Sequence, residues 1–359
     1  MDLKRILNLN QDEVLGLDID SSTVRIIALH KVDAGFTVTA AGISEIETDP
    51  DSNFDETGIS GFHNSAIKAI RDCYTLAKLR SQSKLRTKYA VCGVSGPEVA
   101  VRDFAFPLLP EEDIAGAVSL EAAQVCPFNA DQAAVDYQLI SNGNDKTKGI
   151  LVAATNILME SKIQFVKEAG LHCVLMDIDG LALLNCFHGL SNGNEKSRAA
   201  ILNVGDLYTT LAVMSDDGWP FIRDTACAGD DIINQIAAAN NVSPSVVRPV
   251  LFGDSQDSQI EIGDNLARAS EELITGVSET LRFYAAQEKS IPVRRIFVCG
   301  GFATAKGFID LLNRRLGLEV ILWNPFENIP CDASQGCKDI LKDKGPALAV
   351  AAGLAMRSL

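Results

Sequence analysis

The sequence is short of positive charge and of long apolar segments. Its 359 residues include 32 Lys and Arg against 47 Asp and Glu, which gives a formal net charge of −15. Nucleic acids and anionic membranes attract clustered basic residues, so we expect neither as a direct partner. No apolar segment approaches the roughly 20 residues that span a bilayer, and the start of the chain lacks the apolar core of a secretory signal. These absences predict a cytoplasmic protein without direct membrane insertion.

Histidines and closely spaced cysteines are also scarce. The chain has four histidines, none with an acidic or cysteine partner at ligand spacing, and nine cysteines without a C-x-x-C pair. An odd number of scattered cysteines in apolar segments predicts buried free thiols in a reducing compartment. Cys331 and Cys337 flank a polar loop, but two thiols without nearby histidines are a weak indication of zinc.

Three glycine-containing turns, each at the end of an apolar strand, carry the functional information. They lie in residues 14–25, 199–213 and 295–304, and the second repeats the strand, turn and strand of the first. Backbone N–H groups and hydroxyls of such turns can bind phosphate oxygens, and a leading Asp can hold hydrated magnesium. Adjacent glycines let the backbone approach a flat ligand closely. Any one of these segments alone is more simply a tight turn, whereas the repeat predicts two related lobes around a cleft.

The three turns in this order resemble the phosphate 1, phosphate 2 and adenosine motifs of the actin-like ATPase superfamily. Two further segments are similar to the PilM family of type IV pilus assembly proteins. They are residues 316–326, with the pattern LG-x-x-V-x-x-x-NPF, and residues 345–357, which end in Ala-Ala-Gly-Leu-Ala-Met-Arg. With residues 295–308, the resemblance covers essentially the whole chain.

This resemblance implies an α/β protein with a two-domain actin-like ATPase fold, similar to FtsA, and a small α+β subdomain inserted in the first domain. The expected boundaries are an N-terminal extension at 1–13, the insert at 91–170 and the second domain at 199–344. The first domain then comprises 14–90, 171–198 and 345–359. The resemblance also implies ATP and Mg²⁺ in the cleft, and the N-terminal tail of the inner-membrane protein PilN in a groove between the first domain and the insert. A PilM-like protein is part of a cytoplasmic ring, so it is peripheral to the inner membrane through its partners, and a homo-oligomer is possible.

The motifs assign the nucleotide site by position. The first turn supplies contacts to the phosphates, the second faces it, and the third contacts the adenosine. Asp18 and Asp206 are the expected metal ligands, and no catalytic residue is assigned. The full set is Asp18, Asp20, Ser21, Ser22, Thr23, Arg25, Gly205, Asp206, Thr209, Gly300, Gly301 and Phe302.

Departures from the family pattern bear on catalysis. Asp20 stands where the family usually has Gly or another small neutral residue, Asn203 where it usually has Asp, and Ala228 where a first glycine is common. A carboxylate beside a triphosphate repels it unless magnesium bridges the two. ATP binding with at most slow hydrolysis is therefore expected. Asp177 and Asp179 follow a strand at the predicted connection between domains, and helix capping explains Asp179 at least as well as a catalytic role.

Two alternatives belong to other functional classes. A small-molecule kinase of the same superfamily needs a general-base Asp beside a polar sugar pocket, and no segment supplies both. An FtsA-like filament protein continues into a linker and a basic amphipathic helix, whereas this chain stops soon after its last predicted domain helix. The sequence therefore favours a nucleotide-binding scaffold of a type IV pilus or related type II secretion complex.

Overall fold

The structure is a computed structural model of the 359-residue chain. It describes residues 13–33, 35–47, 59–82, 84–140, 146–191, 198–215, 218–253, 260–287 and 292–358. Groups of strands and groups of helices follow one another along the chain. The strands are β1 (Leu15–Ile19), β2 (Thr23–Val32), β3 (Gly35–Glu45), β4 (Tyr89–Val94), β5 (Val99–Pro107), β6 (Ala133–Leu139), β7 (Lys146–Thr155), β8 (His172–Ile178), β9 (Ala199–Val204), β10 (Thr209–Met214), β11 (Pro220–Thr225), β12 (Arg295–Cys299) and β13 (Glu319–Leu322).

The helices follow the same order. They are α1 (Ile59–Arg80), α2 (Glu111–Val125), α3 (Asn156–Glu168), α4 (Asp179–Leu190), α5 (Gly229–Asn240), α6 (Pro244–Phe252), α7 (Gly263–Ala269), α8 (Glu271–Ala285), α9 (Phe308–Leu316), α10 (Gln335–Lys344) and α11 (Ala349–Ala355), with short 3-10 turns at Ala130–Gln132, Gly345–Leu348 and Met356–Ser358. Within the described ranges, every helix falls short of the length and apolarity that a membrane crossing requires.

Two five-stranded sheets share one topology. The first has the order β3-β2-β1-β4-β8 and the second β11-β10-β9-β12-β13. In each, the first strand of the repeat pairs antiparallel with the next strand and parallel with a later one, as β1 does with β2 and β4 and β9 does with β10 and β12. The predicted internal repeat is therefore present as two lobes.

A third, three-stranded sheet lies in the predicted insert. Its order is β5-β7-β6, all antiparallel. Phe104 and Leu151 of this sheet pack against Ile114 and Val118 of α2 in a small core of their own. Phe165 and Val166 of α3 pack instead with the first sheet and α1. The domain boundaries drawn from the sequence stay a prediction.

One apolar cluster joins the two lobes. It contains Ile27 and Val91 of the first sheet, Ile201 and Phe297 of the second, and Leu354 of α11. The lobes are thus held together by burial of apolar surface beneath the cleft as well as by contacts across it.

The last helix packs unusually closely, as its Ala- and Gly-rich sequence predicts. A Cβ atom at Gly353 would overlap the carbonyl of Ala182 in α4, and one at Gly16 in β1 would overlap the carbonyl of Ala351. These two glycines permit α11 to lie directly against both a strand and a helix.

Candidate functional site

The two hairpin turns of the repeat face one another. In the first, the N–H of Asp20 donates to the carbonyl of Thr23 at 3.0 Å, and in the second the N–H of Gly205 donates to the carbonyl of Tyr208 at 3.1 Å. At the end of β1 the register pairs Asp18 with Arg25. At the equivalent place in the second lobe it pairs Asn203 with Thr210. The charged pair therefore belongs to the first lobe and a neutral pair to the second.

Arg25 lies at the centre of the cleft. Its guanidinium is 3.1 Å from Asp18, 3.6 Å from Asp20 and 3.4 Å from Asp206, and only 4% of its side chain is exposed. Burial opposes the charge on the guanidinium, but the three carboxylates outweigh it and raise the pKa of Arg25 above its ordinary value. Burial likewise raises the pKa of Asp18, and the charge of Arg25 acts in the opposite direction. One cation thus holds three acidic side chains from two lobes.

Each turn donates a hydrogen bond to the aspartate of the other turn across the cleft. Asp206 donates its backbone N–H to Asp20 Oδ2 at 3.1 Å, while Ser22 Oγ donates to Asp206 Oδ2 at 2.7 Å. A second bridge lies nearby, where Gly96 N–H and Thr210 Oγ1 both donate to the carboxylate of Asp224 at 2.9 and 2.6 Å. These polar contacts fix the relative position of the turns.

The cavity between the turns is small. Its volume is about 30 Å³, which is room for water molecules but not for a nucleotide. It brings together six of the predicted site residues and others that the motifs do not assign to the site. The predicted residues are Asp18, Asp20, Arg25, Gly205, Gly300 and Gly301, and the others include Ser95, Asp179 and Tyr208.

Other predicted residues have different surroundings. Thr209 is buried and its hydroxyl donates to the carbonyl of Cys227 at 2.8 Å. The ring of Phe302 packs edge-on against Phe252 and Phe308 in the second-lobe core, and Phe302 is not among the residues that line the cavity. Thr23 Oγ1 lies 3.3 Å from Ser22 Oγ.

The third turn needs both of its glycines. Gly300 has φ +98, and a Cβ there would overlap the backbone of Val204. A Cβ at Gly301 would lie 3.2 Å from Arg25 Nη2. The glycine pair therefore lets β12 turn back beside the second hairpin while leaving its backbone open to the cleft.

Asp179 does not cap the helix that it begins. It is the first residue of α4, whose N-cap is Ile178, and no side-chain cap bond is made there. The capping interpretation is wrong, and Asp179 instead lines the cavity. Burial, and then the nearby charge of Asp18, raise its pKa well above the ordinary value. Within the described part of the chain, its Oδ1 atom is buried without a hydrogen-bond partner, as is the hydroxyl of Ser21.

A much larger cavity, here called the groove, separates the insert from the first lobe. It has a volume of about 490 Å³ and is lined by β6, β7, α3, β8 and α4, with the β10–β11 hairpin at one end. Its apolar wall includes Val152, Met159 and Leu181. Asp177 lies in it with its carboxylate 2.9 Å from Arg357 Nε. Burial raises the pKa of Asp177, which Arg357 counteracts.

Helix α3 connects the groove with the cleft. Met159 lines the groove. Lys162, on the next turn of the same helix, donates from its Nζ to the carbonyl of Ile19 at the end of β1. The turn that carries Asp20 is thus in contact with a helix of the groove wall.

Metal-binding clusters of three or more His, Cys, Asp or Glu side chains do not occur among the residues that the structure describes. All nine cysteines are free thiols, and six of them, including Cys337, are buried. Asp18 and Asp206, the expected magnesium ligands, both contact Arg25.

A profile of the family described as type IV pilus assembly protein PilM matches residues 16–359. The chain belongs to the PilM family. A solved structure titled "PilM-PilN type IV pilus biogenesis complex" is similar to it with a TM-score of 0.78 at 22% identity, over 96% of this chain and 98% of the other. The ethanolamine utilization protein EutJ from Carboxydothermus hydrogenoformans has a TM-score of 0.56 at 15% identity, over 99% and 98%. A diol dehydratase-reactivating factor in nucleotide-free form has 0.55 at 10%, over 96% and 99%. With the duplicated sheets, these similarities confirm the predicted actin-like ATPase fold.

The cleft of this PilM-family protein fits a nucleotide only in part. The open glycine backbone and the unpartnered hydroxyl of Ser21 suit adenosine and phosphate recognition. The small volume and the carboxylates of Asp18, Asp20 and Asp206 do not suit a polyanion. A phosphate therefore needs a rearranged cleft.

Proposed function

We propose that this PilM-family protein is a scaffold of a type IV pilus, or related type II secretion, inner-membrane complex. In this proposal the groove holds the N-terminal tail of a PilN-like membrane protein. The family assignment and the groove of about 490 Å³ support it. The protein would then be cytoplasmic and peripheral to the inner membrane through this partner, with a ring of copies as its expected assembly.

The groove has the backbone chemistry that an extended tail needs. Among the described strands, β6 pairs only with β7 and β8 only with β4, so both leave one edge without a neighbour. Residues of both edge strands line the groove. A partner strand can bond to such an edge through its main chain while its side chains enter apolar pockets. This mode of binding gives affinity from the backbone and specificity from the apolar wall.

The family assignment also favours a scaffold over the kinase and the filament former. A kinase must place a second substrate beside the transferred phosphate. The family whose model matches residues 16–359 is instead described as a type IV pilus assembly protein.

The proposed role of the cleft is to bind Mg-ATP as a clamp between lobes. Ser21, Ser22 and the glycine turns would bind the nucleotide, and Asp18 and Asp206 would hold Mg²⁺, which supplies charge neutralisation. Asn203 lines the cavity and accepts a weak bond from Cys299 Sγ at 3.8 Å. Loss of one positioned acid-base group typically costs about 10²–10⁴-fold in rate. We therefore expect very slow phosphate release that Asn203→Asp raises. Robust wild-type turnover that survives Asp206→Asn would contradict this role of the second turn.

The groove is tested with a labelled peptide of the partner's N-terminal tail. Met159→Lys places a charge in the apolar wall and should weaken binding, measured by fluorescence anisotropy, more than about tenfold. Ile157→Lys is the matched control, because Ile157 is on the same helix but 75% exposed and outside the groove. A peptide N-methylated at alternate residues should also bind poorly, since it lacks the donors of an added strand. Equal binding by both lysine variants would exclude the groove as the site.

A further inference from the structure

We infer that Asp20 is an internal competitor for the anion site of the cleft. Its carboxylate accepts the hydrogen bonds that a nucleotide phosphate would accept, and it bridges the two lobes in the absence of nucleotide. This inference rests on the proposed nucleotide site and concerns its regulation. The groove and the partner tail are not part of it.

The surroundings of Asp20 are those of a bound oxyanion. Ser21 donates its N–H to Asp20 Oδ1 at 2.8 Å and Asp206 donates its N–H to Oδ2 at 3.1 Å. Arg25 Nη1 lies 3.6 Å from the same oxygen. Two backbone N–H groups and a guanidinium around one anion are the donor set by which turns bind phosphate. One N–H comes from each lobe, so the carboxylate bridges the cleft as a phosphate would.

The turn itself does not require an acidic residue at this position. Asp20 follows β1 as Gly205 follows β9, because Asp18 pairs with Arg25 in the same way that Asn203 pairs with Thr210. The second hairpin therefore closes with glycine in the equivalent place. A Cβ at Gly205 would lie 3.0 Å from Asp20 Oδ2, so this glycine also makes room for the carboxylate.

Repulsion between the carboxylates and a phosphate adds to the competition for donors. Asp18, Asp20 and Asp206 all lie within 3.6 Å of one guanidinium. Ionised, they leave the centre with excess negative charge, which opposes a further anion. A phosphate gains the two N–H donors only after the Asp20 carboxylate leaves them. Moving that one side chain opens volume, frees donors and removes a like charge together.

Three variants test this inference: Asp20→Gly, Asp20→Asn and the control Asp33→Asn, an exposed acid in the β2–β3 hairpin. The affinity for Mg-ATP is measured by calorimetry, and the melting temperature is measured without nucleotide. Asp20→Gly should bind Mg-ATP about tenfold more tightly or better, because both the occupied donors and the like charge are released. It should also melt at a lower temperature than the wild type without nucleotide. Asp20→Asn should lie between the two, and Asp33→Asn should match the wild type.

Other outcomes overturn the inference. Weaker nucleotide binding by Asp20→Gly would mean that Asp20 helps to hold the ligand. Unchanged affinity, or no binding by Asp20→Gly at millimolar Mg-ATP, would mean that Asp20 does not compete, whatever the melting temperatures. The tail peptide is titrated into the same samples, because its binding tests the groove separately. A failure of the inference about Asp20 is thus distinguished from a failure of the scaffold proposal.

Discussion

The cleft and the groove are opposite kinds of cavity in one protein. The cleft is about 30 Å³, charged, and filled by contacts between the chain's own side chains, whereas the groove is about 490 Å³, with an apolar wall and two strand edges. A cavity whose donors already have acceptors gains little from a ligand unless those contacts break. A groove with apolar surface and unpaired backbone gains directly from being covered. Substitutions in the cleft should therefore act first on stability, and those in the groove on partner binding.

The largest effect is expected from removing the central cation. Arg25→Met leaves the buried carboxylates of Asp18 and Asp206, and the half-buried one of Asp20, without their guanidinium partner, and breaking a buried ion pair from one side costs about 3–5 kcal/mol. Urea unfolding of Arg25→Met and of the exposed control Arg86→Met gives the difference. A loss below about 1 kcal/mol in the free energy of unfolding is the range of surface ion pairs. It would show that the contacts in the cleft contribute no more to stability than surface contacts do.

The next effect concerns the third turn. If nucleotide binds beside Gly301, saturating Mg-ATP should stabilise the wild type by about 2.7 kcal/mol at 100 times the dissociation constant. Gly301→Val should abolish that thermal shift, since even a Cβ would lie 3.2 Å from Arg25 Nη2. Gly116→Val, at an open helical position, is the control. A shift that persists in Gly301→Val would place the nucleotide elsewhere.

A pH dependence follows from the raised pKa of Asp179. Burial favours its neutral form in the folded state, so the stability that it contributes is present below the ordinary pKa of 3.8 and is lost as pH rises through the higher folded pKa. Asp179→Asn should therefore stabilise the protein at pH 7, because the amide replaces a carboxylate whose charge burial disfavours. The gain should vanish near the ordinary pKa. Asp343→Asn, at an exposed site on α10, should show no such trend in melts across pH.

The smallest effect is expected at the exposed edge of the groove. Asp136 is exposed on β6, and a surface charge is worth about 0.2–1 kcal/mol. Asp136→Asn should therefore change affinity for the tail peptide less than about sixfold, well short of Met159→Lys. If Asp136→Asn has the larger effect, charge rather than the apolar wall determines partner binding.

The sequence predicts those features of the fold that depend on short segments of the chain. The repeat, the glycine pair at Gly300 and the close packing at Gly353 follow from residues near one another in the chain, and the structure has all three. The apolar pattern of the sequence does not predict helix α6, because Pro249 interrupts it. For Asp179 the sequence supports capping at least as well as a catalytic role, because a helix start is typical of capping, whereas its burial depends on distant elements.

The contacts that close the cleft could not be predicted in the same way. Asp20 and Asp206 are 186 residues apart, and only the packing of two lobes brings them together. The motifs name both residues but do not indicate that each binds the other turn. The motifs assign no role to Ser95 or Tyr208, although Tyr208 lies in the second turn, and both line the cavity only because the two lobes pack together.

Helix α3 contacts both cavities and so provides a physical connection between binding in the groove and binding in the cleft. Met159 lines the groove, and Lys162 holds the carbonyl that precedes Asp20. Around any closed cycle of binding steps the free energies sum to zero, so a factor by which a seated tail alters nucleotide affinity must equal the factor by which nucleotide alters tail affinity. Two titrations of the tail, with and without Mg-ATP, therefore measure the influence of the tail on the cleft without any assay of the cleft itself.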